Sequence, residues 1–155
     1  MLRSAFLTIS ALAALSLTGC GGGGGGRLSK SDYEQRVRSL YANVREAFRK
    51  TNVTSTKLLA DRVEEAQGEL RSAADDLEEI EPPEKVENET EELVEGMREY
   101  ADDLDELRNA AERGDEAAIQ KFNSGIAQNE AVEQMAEAAE EMKFKGYDLG
   151  PIAED

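Results

Sequence analysis

The sequence has no histidine, no tryptophan, one cysteine and three prolines among its 155 residues. Each shortage closes off a kind of chemistry. Without histidine the chain lacks the commonest general base, the commonest transition-metal ligand and the usual switch near neutral pH. One cysteine allows no intramolecular disulfide, no paired-thiolate metal site and no second redox thiol. Zinc, haem and blue-copper centres therefore have almost no ligands to use. Positive charge is also scarce: 18 Lys and Arg stand against 34 Asp and Glu, a formal net charge of −16. Nucleic-acid binding requires Lys and Arg to neutralise phosphates, so this balance argues against it. It argues equally against electrostatic adhesion to anionic lipid. The bland reading of the charge is a solvated, soluble surface.

A short apolar stretch, Ala5 to Leu17, follows Met1-Leu2-Arg3. It is too short to span a bilayer, which takes about 20 apolar residues. It fits the roughly 7–15 residues of a secretory h-region. A single arginine, Arg3, does not make a twin-arginine export signal. The stretch runs into Leu17-Thr18-Gly19-Cys20, where small residues also suit an ordinary signal peptidase. The pattern resembles the lipobox of bacterial lipoproteins at every position. That resemblance implies cleavage between Gly19 and Cys20 and lipidation of Cys20, leaving no free thiol. Arg3 is the only charged residue of the leader, so the mature 136 residues would carry 17 cations against 34 carboxylates, a formal −17. Six glycines, Gly21 to Gly26, come next. They read as a flexible spacer with an r.m.s. reach of roughly 13 Å.

Beyond the spacer the apolar residues recur in steps of three and four, the signature of helices. The first helix opens at Ser29, the preferred N-cap, with Leu28 and Tyr33 in the positions of a hydrophobic staple. Ser31 with Glu34 is a rival capping box. The stripe is Tyr33, Val37, Leu40, Tyr41, Val44, Ala47 and Phe48. A polar turn over 52–56 offers several caps. The second stripe runs Leu59, Val63, Ala66, Leu70, Ala73, Leu77, Ile80 and stops at Glu81-Pro82-Pro83, because proline excludes the helical state for its predecessor. Pro83 suits the first turn of a third helix, striped by Val86, Thr90, Leu93, Met97, Tyr100, Leu104, Leu107 and Ala111. Gly114 is a C-cap candidate and Asp115 an N-cap. The fourth stripe is Ile119, Phe122, Ile126, Val132, Met135, Ala139 and Met142, interrupted at Gly125, with Asn129 near the seam. Gly146 is expected to end it, with Tyr147 and Leu149 folding back. Short connections favour antiparallel neighbours. The expected fold is all-α: an antiparallel up-down four-helix bundle preceded by a signal peptide and a Gly-rich tether. The rival is a long hairpin of the second and third helices dimerising as a coiled coil. The expected organisation is leader 1–19, lipidated Cys and tether 20–27, bundle 28–150 and acidic tail 151–155.

No constellation in the bundle points to catalysis. Carboxylates are so abundant that neighbours such as Glu91, Glu92 and Glu95 read as a solvated face. Di-iron sites need Glu-x-x-His motifs, and EF-hands need a spacing that is absent here. No serine has a base beside it. The expectation is no catalytic residue, no metal and no cofactor. Asn129 reads two ways, as a buried residue fixing helix register or as one turned outward.

The lipobox, the start Leu28 to Tyr33, the break Ile80-Glu81-Pro82-Pro83 and the ending Gly146-Tyr147-Asp148-Leu149-Gly150 together resemble small helical lipoproteins of bacteria with GC-rich genomes. The resemblance implies a bundle anchored by lipid at the cell envelope, on the outer face of the cytoplasmic membrane or on an outer membrane. It brings no activity and no catalytic residues. The expected function is a non-enzymatic interaction module with an envelope protein partner and no nucleic acid. The alternative is a carrier holding an apolar or cationic small molecule between helices, using Ala66, Ala73, Gly125 and Ala139 to leave room.

Overall fold

A computed structural model describes residues 26–150. Gly19, Cys20, the leader and the acidic tail lie outside the described residues. The described chain folds into α1 (Lys30–Arg49), α2 (Thr56–Glu78), α3 (Glu87–Glu112), α4 (Glu116–Gly125) and α5 (Glu130–Phe144). Short 3₁₀ turns at Glu84–Val86 and Ile126–Gln128 lead into α3 and α5. The architecture is the all-α, antiparallel up-down bundle that the stripes predict, with its fourth rod broken in two.

Local chemistry sets most boundaries. Ser29 caps α1 by accepting from the Asp32 amide at 3.2 Å, and Ser55 caps α2 by accepting from Leu58 at 3.4 Å. Between α2 and α3 the two prolines supply no amide donors, and the Leu28 amide donates to Glu81 O at 2.8 Å. That bond pins the entering chain to this connection. Gly114 has φ +66, the left-handed conformation that glycine adopts without steric cost. It lets the Asp115 and Gly114 amides reach back to Ala110 and Ala111 at 2.9 and 3.0 Å, closing α3. Gly146, at φ +89, closes α5 the same way: the Tyr147 amide donates to Met142 O at 3.0 Å.

The stripes meet in one core. Tyr33, Val37, Leu40 and Val44 of α1 join Val63, Leu70 and Leu77 of α2, Leu93, Met97 and Leu104 of α3, and Met142 of α5. Each large side chain so buried contributes about 1.5–3 kcal/mol. Pairings such as Gln67 with Ala101 and Glu78 with Arg98 show α2 and α3 running in opposite directions. α1 lies on α2 and α5 on α3 within the same chain, so the apolar seams of the central hairpin are covered without a second copy. The contact of α3 with α5 is close. A Cβ added at Gly96 would stand 2.7 Å from Met135 Cγ and 3.1 Å from Ala131 O. Ala131, Ala138 and Ala139 are buried in the same seam. The small residues thus draw helices together. Ala66 and Ala73 are packed too, while Gly125 faces open space.

The fourth rod departs from the expected continuous stripe. α4 ends at Gly125, a 3₁₀ turn follows, and Asn129 starts a new helix. Asn129 is neither a buried register residue nor an idle polar one. Its Oδ1 accepts from the Val132 amide at 3.0 Å, and its Nδ2 donates to Asp103 Oδ2 at 2.6 Å. The cap competes with helix continuation at this position, and glycine just upstream gives the chain freedom to break.

Candidate functional site

The bundle has two ends, and they differ in chemistry. At the entry pole the chain arrives through Arg27 and Leu28, α3 begins and α5 finishes. Tyr33 is fully buried there. Its hydroxyl lies 2.7 Å from Thr90 Oγ1 and 3.5 Å from Met142 Sδ. The Thr90 hydroxyl donates to Val86 O at 2.5 Å, which leaves Tyr33 as the donor to Thr90. Burial pushes the Tyr33 hydroxyl up to about 12, against a smaller opposing pull from its bond with Thr90. Tyr147 folds back to meet the Tyr33 ring edge-on at 5.9 Å, and Lys30 Nζ stands 5.5 Å from its centroid. Glu89, buried beside Thr90, pairs with Lys145. Desolvation pushes its carboxyl up, but the bond from Lys145, its own backbone amide and the Lys145 charge outweigh that and hold it below the ordinary carboxylate range. These residues fasten the pole. The Tyr33 and Thr90 hydroxyls satisfy each other and Lys145 meets one Glu89 oxygen, while Glu89 Oε2 is buried without a hydrogen-bond partner.

From the entry pole a groove of about 900 Å³ runs between α2 and α3 as far as Asp102. Leu77, Ile80, Thr90 and Val94 form its floor. Seven carboxylates and two guanidinium groups, Arg27 and Arg98, stand around it. Arg98 spans the groove, reaching Glu78 Oε2 at 2.6 Å and Asp75 Oδ1 at 2.8 Å. Its hydrogen bond holds Glu78 below the usual carboxylate range. Arg27 pairs with Glu87 at 2.8 Å. Along α3 the rim is Glu87, Glu91, Glu95 and Glu99, each one helical step of four from the next. Like charges at that spacing oppose the helix by about 0.2–0.5 kcal/mol per pair.

Four hydroxyls serve helix backbone groups. Ser29 and Ser55 accept from helix amides, and Ser124 and Thr51 donate to helix carbonyls. Among the described residues no three His, Cys, Asp or Glu side chains are placed to share a metal. No described helix is long and apolar enough to cross a membrane.

A family model described as a domain of unknown function, DUF7018, matches residues 27–142. The chain belongs to the DUF7018 family. No curated protein and no solved structure matches it. The DUF7018 segment takes in all of α1 to α4 and nearly all of α5, so the groove lies wholly within it. Sequence reasoning did not single out the glutamate line, although the period of four was visible beside the α3 stripe. It also missed Gln67, which is buried and donates to Ala101 O at 2.7 Å and Asp105 Oδ1 at 3.0 Å. A glutamine one place after Ala66 of the stripe carries no sign of burial by itself.

Proposed function

We propose that this chain is an envelope lipoprotein, held to a membrane by lipid on Cys20, whose bundle acts as a non-enzymatic interaction module. The groove between α2 and α3 receives a cationic, amphipathic segment of another envelope protein. The observation that carries this reading is the line Glu87, Glu91, Glu95, Glu99 above an apolar floor. Apolar side chains of a partner would rest on Val94 and Ile80, and its Lys or Arg residues would relieve the repulsion along the rim. Such a contact is steered by charge and weakens with salt. The signal pattern ending at Cys20 supports the anchor, since leader, cysteine and spacer stand in the order that anchorage requires.

The test compares two baits. Full-length lipidated protein and a variant with Glu91, Glu95 and Glu99 all replaced by Gln are captured from detergent-solubilised envelopes. A protein retained by the first, lost in high salt and not retained by the second supports the groove. Equal capture by both baits, at equal helix content, removes it. The anchor is tested separately by the mass of the N-terminal peptide and by Cys20→Ala, which is expected to leave the protein in the soluble fraction.

A further inference from the structure

Among the described residues one large apolar side chain stands apart from the rest. Phe144 is 94% exposed, while Leu58, the next most exposed large hydrophobe, is at 39%. It is the last residue of α5, two positions from the core residue Met142, so the helix turns it away from the bundle. Lys143 and Lys145 flank it. It lies two residues beyond the DUF7018 match. Full exposure forfeits the roughly 1.5–3 kcal/mol that burying such a side chain returns, so a covering surface is the natural complement.

The position of Phe144 indicates which surface. Lys145 pairs with Glu89 and Arg27 pairs with Glu87. Phe144 and the start of the tether are therefore fastened to the same first turn of α3, at the entry pole. Cys20 to Gly26 is seven residues, a contour of at most about 25 Å. The 26 residues of α3 run about 39 Å. A tether shorter than the bundle keeps the entry pole nearer to its anchor than the far pole. We infer that Phe144 is a bilayer-inserting side chain: with Lys143 it docks the entry pole on the lipid surface to which Cys20 tethers the chain. This rests on the anchorage proposed above. The aromatic ring enters the interfacial layer, and the Lys143 stem lies along it with its ammonium group among headgroup phosphates, while Lys145 stays paired with Glu89. The acidic charge of the molecule opposes approach to anionic lipid. Beyond about 8 Å that repulsion is largely screened at physiological ionic strength, and much of the bundle lies farther away than that.

The absence of tryptophan supplies the test. Phe144→Trp places a single reporter at an exposed site, and Leu58→Trp places one in the first turn of α2 at the far pole. Each full lipidated chain is reconstituted on vesicles of phosphatidylcholine with phosphatidylglycerol, with or without bromine on the acyl chains. The Phe144→Trp chain is expected to float with the vesicles, to show emission shifted to the blue and to lose most of it to brominated lipid. The Leu58→Trp chain floats but keeps its emission. A Phe144→Trp chain that floats and is not quenched overturns the docking and leaves the anchor standing. One that neither floats nor is quenched overturns both. Equal quenching of the two reporters also overturns the docking, because the pole would then have no preference.

Discussion

Single residues decide several local outcomes, and three substitutions read them. Asn129→Leu is expected to lower the melting temperature, because removing an N-cap costs about 1 kcal/mol and Asp103 loses its donor. A buried register asparagine would have given the opposite sign. Gly96→Ala is expected to destabilise by about 1–3 kcal/mol, since the new methyl meets Met135 Cγ and the Ala131 carbonyl. Gly68→Ala in exposed α2 has nothing within 4 Å and is expected to stabilise by about 0.5–1 kcal/mol. Thermal unfolding of the three variants tests all of this together. The sequence makes Ser29, Asp115, Gly114 and Gly146 legible in their roles, because a cap depends on the few residues beside it. Gln67 and Glu89 are not legible, because their burial depends on what α3 and α5 bring against them. The cap role of Asn129 was hidden by its place near a seam, where periodicity alone points inward.

At the scale of elements, α4 is the weakest part of the bundle. None of its residues is fully buried, and it leans on the core only through partly covered Ile119 and Phe122. Amide exchange is expected to be fastest among the helices in α4, and slowest in the middle of α2 and α3, where local opening requires loss of the core. Uniform protection across α3 and α4 in exchange measured by mass spectrometry would contradict this ranking. The helix periods place α1, α2 and α3 to within a few residues, because each carries an unbroken stripe. They place the last segment poorly. Gly125 and the cap after it divide a stripe that, read as spacing alone, continues across the break. The groove was also invisible, since it arises from the outer faces of two helices that only packing brings side by side.

For the molecule as a whole, alkaline pH is the revealing stress. The Tyr33 hydroxyl titrates at about 12 in the fold against 10.0 when free. A raised value means the fold favours the protonated form. Its contribution is therefore complete below pH 10 and is lost as pH climbs towards 12, a loss of about 2–3 kcal/mol at 1.36 kcal/mol per unit. Burial raises Tyr100 in the same direction, helped by the charge of Asp103. Helix content followed by circular dichroism is expected to fall over that window, and Tyr33→Phe is expected to flatten the fall while costing about 1 kcal/mol at neutral pH for its lost bond to Thr90. A Tyr33→Phe protein with an unchanged alkaline profile would show that other groups govern it. One topological property extends to the whole particle. The described chain enters at Arg27 and leaves at Gly150, which rests on Arg38 of α1, so a short linker along the first half of α1 would join its two ends. Neighbouring termini are what circular permutation needs. Linking them and reopening the chain at the exposed Gly114 turn would keep every rod in place while moving the attachment point to the opposite end, hanging the particle upside down with Phe144 turned outward.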